Sequence, residues 1–392
     1  MAFRGIKSVG NILIIFFLIG VMTALWRAAG TIPFIVCQAS QLIQPSVFLL
    51  MTFLLNSGMS ILTGTSFGSA ATMGVICASL GAAMNVSPVL TGGAVLSGIF
   101  FGDRCSPVST SALLVASISE TDIYRNIRNM LKSALVPFAL TCLLYTLIGW
   151  KITATGEVID MRSLFSGTFV LHWITVVPAL VVLLLSVLRV NVKWSMGASI
   201  LSAMIIALTT QKLSIMEIFS FSIWGYTPQD PKVALMMSGG GIVSMLRVAC
   251  IVCISSAYSE LFNKTGLLNS ARHSVSLLAV RTTTYTAMAI TAVISGMIAC
   301  NQTLTILLTN QLGSGLYSDK ETLALDLEDT AVVIAPLIPW SIAGAVPLAA
   351  ISAPHAAVIT SFYLLLLPIC RILTSMCRKQ RGTAPGVSDR GK

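Results

Sequence analysis

The chain has 392 residues, of which 55% are hydrophobic and only 10% charged, and its mean hydropathy is +0.89. Soluble domains carry about a quarter of charged residues, so this composition excludes a soluble enzyme and a disordered chain, and without alternating apolar and polar strands it excludes a β-barrel. The net charge of +10 sits in short loops and a basic tail, which excludes a nucleic-acid-binding face and follows the positive-inside rule.

Taken in chain order, apolar segments fall near 10–27, 45–62, 68–84, 88–101, 110–118, 128–149, 166–188, 195–210, 242–261, 284–310, 330–350 and 355–375. The first follows Arg4 and Lys7 and reads as a spanning helix, because membrane segments continue after it. Between Arg27 and Asp103 stand 75 residues without one Asp, Glu, Lys, Arg or His, enough for about three crossings at ~20 residues each. A second run, 282–318, carries no charge, and 330–370 carries only His355. The fold class expected is an all-α polytopic membrane protein with about ten spanning or broken helices.

Two segments are interrupted. One breaks at Gly102-Asp103-Arg104-Cys105-Ser106-Pro107, the other at Pro336, Pro339, Gly344 and Pro347. Irregular backbone at membrane depth survives only where protein buries it or where it lines a watery cavity. One broken segment in each half therefore points to a binding site where they meet.

Basic loops at Arg4/Lys7, Arg125/Arg128/Lys132, Arg189/Lys193 and Lys264/Arg272/Arg281, together with the tail, belong inside. The loops 151–165 and 313–329 are mixed or acidic and belong outside. With that assignment the unit beginning at residue 10 starts inside and the unit beginning at 242 starts outside. The division expected is a first transmembrane repeat over 1–150, linking helices and an external linker over 151–241, a second, inverted repeat over 242–377, and a basic cytoplasmic tail over 378–392.

Asp103 closes the uncharged run. An ionisable group at membrane depth is costly unless paired or hydrated and by default marks a pathway; the alternative is a simple helix cap. Arg104 is adjacent, although neighbours at i,i+1 on a helix do not face each other. Ser97, Ser106, Ser109, Thr110 and Ser111 surround the break, and Thr65 lies in Leu62-Thr63-Gly64-Thr65-Ser66-Phe67-Gly68. Their hydroxyls are hard oxygen ligands for a small cation, while Gly64/Gly68 and Gly98/Gly102 are also G-x-x-x-G spacings for close helix packing. Glu328-Asp329-Thr330 opens the second broken segment, ahead of Trp340. Adjacent carboxylates repel each other, an arrangement suited to a proton carrier working near neutrality; acids complementing a helix N-terminus are the plainer alternative. Arg247 reads as a residue that snorkels to the surface.

Nine cysteines are scattered, mostly in apolar segments, and read as small hydrophobes; the three histidines are too few and far apart for a metal site. No P-loop, nucleophile elbow or zinc signature is present, so no cofactor, resident metal or enzymatic chemistry is expected.

The motifs around residues 62–68, Ser97-Gly98-Ile99-Phe100-Phe101-Gly102-Asp103-Arg104-Cys105-Ser106-Pro107 and Leu327-Glu328-Asp329-Thr330, with Ile338-Pro339-Trp340, resemble those of NhaC-type sodium/proton antiporters. Gly30-Thr31-Ile32-Pro33 and Ser238-Gly239-Gly240 are similar as well, and the resemblance covers nearly the whole chain in the same order. It implies inverted repeats with broken helices and exchange of Na⁺ against H⁺. Members typically carry Ser-Asp-Thr-Thr-Asn after the Ser-Pro, where this chain has Ser109-Thr110-Ser111-Ala112-Leu113, so one carboxylate and one amide are missing. By the same resemblance the chain looks short at its start. Some members exchange organic acids with ions, which implies as the alternative an ion-coupled carrier of a small organic acid or amino acid.

The reading is a secondary transporter of the inner membrane, a sodium (or other monovalent cation)/proton antiporter. Asp103, Ser106, Ser109, Thr110 and Thr65 would bind the ion from one broken helix, and Glu328, Asp329, Thr330 and Trp340 from the other. Its partners would be Na⁺, H⁺ and the lipid bilayer, without nucleic acid, and a homo-oligomer is compatible with such a chain.

Overall fold

In the computed structural model, residues 10–42, 44–107, 109–152, 165–188, 190–230, 233–234, 237–246, 249–250, 253–254 and 268–382 are described. They are almost entirely helical, with one isolated antiparallel bridge between Tyr226 and Gly239. In order come α1 (Gly10–Ala28), α2 (Thr31–Leu42), α3 (Pro45–Thr63), α4 (Ser66–Ala83), α5 (Pro88–Cys105), α6 (Thr110–Ser119) and α7 (Ile123–Ile152). Then follow α8 (Val177–Val187), α9 (Val192–Thr209), α10 (Ile215–Trp224) and α11 (Leu268–Arg281). Last come α12 (Thr284–Ala299), α13 (Gln302–Gly313), α14 (Lys320–Leu327), α15 (Ile342–Ala350) and α16 (Phe362–Gly382). By length and composition α3, α4 and α7 can each cross a membrane, and two bent pairs can serve as broken spans. Large apolar side chains such as Leu135, Leu143, Leu184, Leu201, Ile205 and Ile294 stand exposed on helix faces, as lipid-facing surfaces require.

Two turns fold what the sequence presents as successive apolar runs into helical hairpins. Gly64 ends α3 in the left-handed region at φ 64°, and extended Thr65 starts α4. The chain then runs back along α3: a Cβ on Gly81 would meet the Phe48 ring at 3.1 Å, and Asn56 Nδ2 donates to Cys77 Sγ at 3.5 Å. In the second half Cys300 ends α12 at φ 58° and extended Asn301 starts α13. Here a Cβ on Gly296 would lie 3.6 Å from Thr305, and Gly313 comes up against Met288. The segment 284–310 therefore forms two antiparallel helices that begin and end at one end of the bundle, where its length suggests one continuous helix.

Each hairpin is followed by a broken helix and then a long one. Between α5 and α6, Ser106 and Ser109 are both extended, and the Ser109 hydroxyl caps α6 by accepting from the Ser111 N–H. Between α14 and α15, Ile338 and Ser341 are both extended, and the Ser341 hydroxyl caps α15 by accepting from the Ala343 N–H. The two parts of this second pair meet at a bend of 57°. Pro107 and Pro339 occupy the same place in the two breaks, where a missing N–H and a fixed φ cost nothing because the helix has already stopped.

The directions of the two sets are opposite. Gly149 at the end of α7 lies against Ser46 at the start of α3, while Glu120 beyond α6 pairs with Lys320 and Arg125 pairs with Glu321 at 2.5 Å. Thr283, before α12, bonds to Ser375 near the end of α16 at 2.9 Å. One end of the bundle thus holds the starts of α3, α5 and α16 and the end of α7. The other holds the starts of α7, α12 and α14 and the end of α16. Residues 313–329 lie at the same end of the bundle as the close of α16, where the sequence placed them opposite. Among the described residues the opposed sets run over 45–152 and 284–382. Residues 211–241 include α10, packed on α1, with Gly241 N–H donating to Gly20 O at 2.7 Å. Most of 242–261, the turn at 263–266, Arg189, Arg247 and the tail from 383 lie outside the described residues.

Small residues set the central packing. A Cβ on Gly98 would sit 2.6 Å from Phe53 O, and one on Gly102 would sit 2.6 Å from Ile61 N. The α3 and α5 backbones touch there, and Ser60 Oγ donates across the gap to Ile99 O at 2.6 Å. Phe53, Phe101 and Phe138 pack with tilted rings beside this contact, with ring centroids 4.6 Å apart for Phe101–Phe138 and 5.0 Å for Phe53–Phe138.

Candidate functional site

Asp103 lies on the last turn of α5, is 3% exposed, and is not paired with Arg104. Its Oδ1 accepts from Ser109 Oγ at 2.9 Å, and its Oδ2 accepts from Ser111 Oγ at 3.0 Å and from Gln302 Nε2 at 3.5 Å. Two of these donors sit at the start of α6, and the third opens α13. The break thus folds its own hydroxyls back onto the carboxylate, and the second hairpin adds an amide. Gln302 Nε2 also donates to Val332 O at 3.2 Å, which ties Asp103 to the opposite broken helix.

That helix changes winding where its acids stand. Glu328–Val332 form a π-turn, a distortion that often marks functional sites; α4 contains another, over Ala70–Gly74. Glu328 is fully buried, and neither carboxylate oxygen has a hydrogen-bond partner. It lies near enough to Arg104, Asp103 and Asp329 to feel their charges.

Asp329, also fully buried, is differently placed. Arg104 Nη2 pairs with its Oδ1, and Arg371 Nε lies 2.7 Å from its Oδ2. Arg104 is further held by Tyr363 OH at 3.1 Å, Met130 O at 3.3 Å and Ser133 Oγ at 2.8 Å. Arg371 Nη2 continues to Asp326 Oδ1 at 2.6 Å, and Tyr317 OH donates to Asp326 Oδ2 at 2.8 Å. Two arginines and two aspartates alternate and balance in charge. Burial of such groups is tolerable only when every charge is paired and hydrogen-bonded. Among the described residues, Asp103 and Glu328 remain as the buried carboxylates outside this balanced chain. A cavity of about 410 Å³, lined by Tyr285, Tyr317, Asp319, Asp326 and Arg371 among others, leads to the chain from the end where α7 begins.

The other expected residues scatter. Ser109 touches Asp103, whereas Ser106 donates to Ile61 O at 2.7 Å and ties the break to α3. Thr110 is exposed on the first turn of α6. Thr65 forms the tip of the first hairpin, with a buried hydroxyl oxygen that has no partner. Thr330 donates to Asp326 O at 2.5 Å. Trp340 is 43% exposed and donates from Nε1 to Met297 O at 3.0 Å, fastening the second break to α12. Sequence reasoning passed over Arg371, Asp326, Gln302 and Tyr363 as site residues. Arg371 could have been noticed as a cation inside the last apolar segment.

The sequence profile of the Na+/H+ antiporter family matches residues 2–119 and 98–377. The chain belongs to the Na+/H+ antiporter family. It is 28% identical over 393 residues to the Na(+)/H(+) antiporter NhaC of Bacillus subtilis, covering 96% of this chain and 86% of the relative. It is 26% identical over 353 residues to the Malate-2H(+)/Na(+)-lactate antiporter of the same organism, over 86% of this chain and 75% of the relative. With the Arginine/ornithine antiporter ArcD of Halobacterium salinarum it shares 25% identity over 382 residues, 94% of this chain and 79% of the relative. Family membership and the apolar helices make this chain a membrane-embedded secondary transporter, and the Na+/H+ antiporter family implies Na⁺ and H⁺ as its ions.

Proposed function

We propose that this protein exchanges Na⁺ for H⁺ in the inner membrane through a site centred on Asp103 and Glu328. The observation that carries this is the division of the buried acids. Asp326 and Asp329 are neutralised by Arg371 and Arg104, while Glu328 has no partner and Asp103 has only neutral donors. A buried carboxylate that no cation pairs with directly is stabilised by taking up a proton or a metal cation. When both occupants compete for one carboxylate, each excludes the other and exchange is coupled. The hydroxyls of Ser109 and Ser111 can rotate, turning lone pairs toward a cation or hydrogens toward a bare carboxylate. These two serines do the work expected of the carboxylate and amide that the resemblance finds missing.

The opposed sets over residues 45–152 and 284–382 are read as inverted repeats, moving against each other to expose the site to either side. Basic residues 125, 128, 132 and 281 lie at or near one end, so that end and the tail are assigned to the cytoplasm. The 410 Å³ cavity then opens the charge chain toward the cytoplasm. Everted vesicles carrying the protein should discharge a preformed pH gradient on addition of sodium or lithium. Failure of a broad cation series, with discharge by a carboxylate-bearing solute, would replace this reading with an organic-solute carrier.

A further inference from the structure

Another buried cation lies far from the ion site. Arg27, at the end of α1, is 8% exposed and follows fully buried Trp26. Arg104 and Arg371 are each held by acids, but Arg27 forms no ion pair among the described residues, and its Nε has no hydrogen-bond partner. An uncompensated guanidinium in a protein interior is strongly disfavoured. An anion bound from outside would supply the missing charge.

The surroundings of Arg27 suit an anion. It lines a cavity of about 200 Å³, with hydroxyl-bearing Ser79, Thr91, Ser238 and Ser352 in the same wall and no acid among the lining residues. The Thr91 hydroxyl is buried and also lacks a partner. Thr91 stands in the first turn of the 18-residue α5, whose N-cap Ser87 supplies no side-chain cap, so the positive end of that helix adds to the field. Gly239, at φ +131°, lies against the guanidinium: a Cβ there would come within 3.5 Å of Nη1. The rest of the wall, including Val75, Ala78, Ala82 and Ile351, is apolar. The cavity is at the end of the bundle where α5 begins, roughly 20 Å along the helix from Asp103 at 1.5 Å per residue.

We infer that this cavity binds the carboxylate of a short organic monoanion. Arg27 takes the carboxylate with its paired N–H groups, whose fork matches carboxylate geometry. The Thr91 hydroxyl donates beside it, the positive end of α5 adds its field, and the apolar wall receives the hydrocarbon body. A single guanidinium calls for a single carboxylate, and the volume holds a solute of roughly six waters' bulk.

The test is calorimetric titration of the purified protein, in nanodiscs of phosphatidylcholine alone, with lactate and with propionate. Saturable binding is expected for the wild type, at least ten-fold weaker for Arg27→Gln and measurably weaker for Thr91→Val. Melting of each variant without ligand monitors folding; Arg27→Gln removes a buried charge and should melt no lower than the wild type. The carboxylate-induced rise in melting temperature should disappear with Arg27→Gln. No saturable binding by the wild type, or equal binding by Arg27→Gln, overturns the inference. Chloride or inorganic phosphate competing as well as lactate would make the site one for any anion and also overturns it. Loss of lactate binding in discs containing phosphatidylglycerol would assign the site to a lipid headgroup instead.

Discussion

Arg104 turns away from Asp103, its neighbour in sequence, and pairs with Asp329, 225 positions further along the chain. This contact joins the two broken helices at the depth where each acid motif stands. It also separates the acids into two kinds: Asp326 and Asp329, which are paired with arginine, and Asp103 and Glu328, which are not.

The first prediction concerns that pair. Removing one member of a buried ion pair typically costs about 3–5 kcal/mol, while replacing both with apolar residues is often close to neutral. Arg104→Met should therefore lower the melting temperature of the purified protein sharply, and Arg104→Met combined with Asp329→Leu should recover much of the loss. Equal losses in the single and double variants would show that the pair does not fasten the helices.

Asp103→Asn retains size and hydrogen bonding to Ser109, Ser111 and Gln302 but removes the charge. Sodium-dependent proton movement in everted vesicles should be nearly abolished, with normal amounts of protein in the membrane. Retained coupled flux would reduce Asp103 to a structural acceptor for the start of α6.

Glu328→Gln separates function from stability in the opposite sense. The side chain is fully buried and its oxygens have no partner, so loss of its ionisable group should leave thermal stability equal or raised. Exchange should fall at least ten-fold. A variant that is destabilised yet still active would mean that the carboxylate serves packing rather than transport.

Topology gives a fourth expectation. Epitopes inserted at Lys320 and after Lys392 should be reached by antibody from the same side of the membrane, and one inserted after Ile152 from the other. Opposite accessibility at Lys320 and the C-terminus would contradict the second hairpin.

Close packing of α3 on α5 provides the fifth. Gly98→Leu would drive a side chain into the Phe53 carbonyl and the Asn56 side chain, so the variant should fail to accumulate in the membrane. Leu135→Ala, on an exposed face of α7, should accumulate normally and serves as the control.

Composition and hydropathy alone determined that the chain is helical and membrane-embedded, because a bilayer admits only long runs of apolar residues with internally satisfied backbones. Proline, glycine and isolated acids also marked both broken helices, since each departs from what a continuous span requires. Apolar length could not tell a crossing from a hairpin: 284–310 has the composition of a span, and only the left-handed Cys300 and the packing of Gly296 and Gly313 show that it turns back. Nor could spacing say which acids are neutralised. Asp329 looked like half of a carboxylate pair until Arg104 and Arg371, from two other helices, were found on either side of it. Whether a buried charge is structural or exchangeable depends on its neighbours in space, and those are set by how the helices pack.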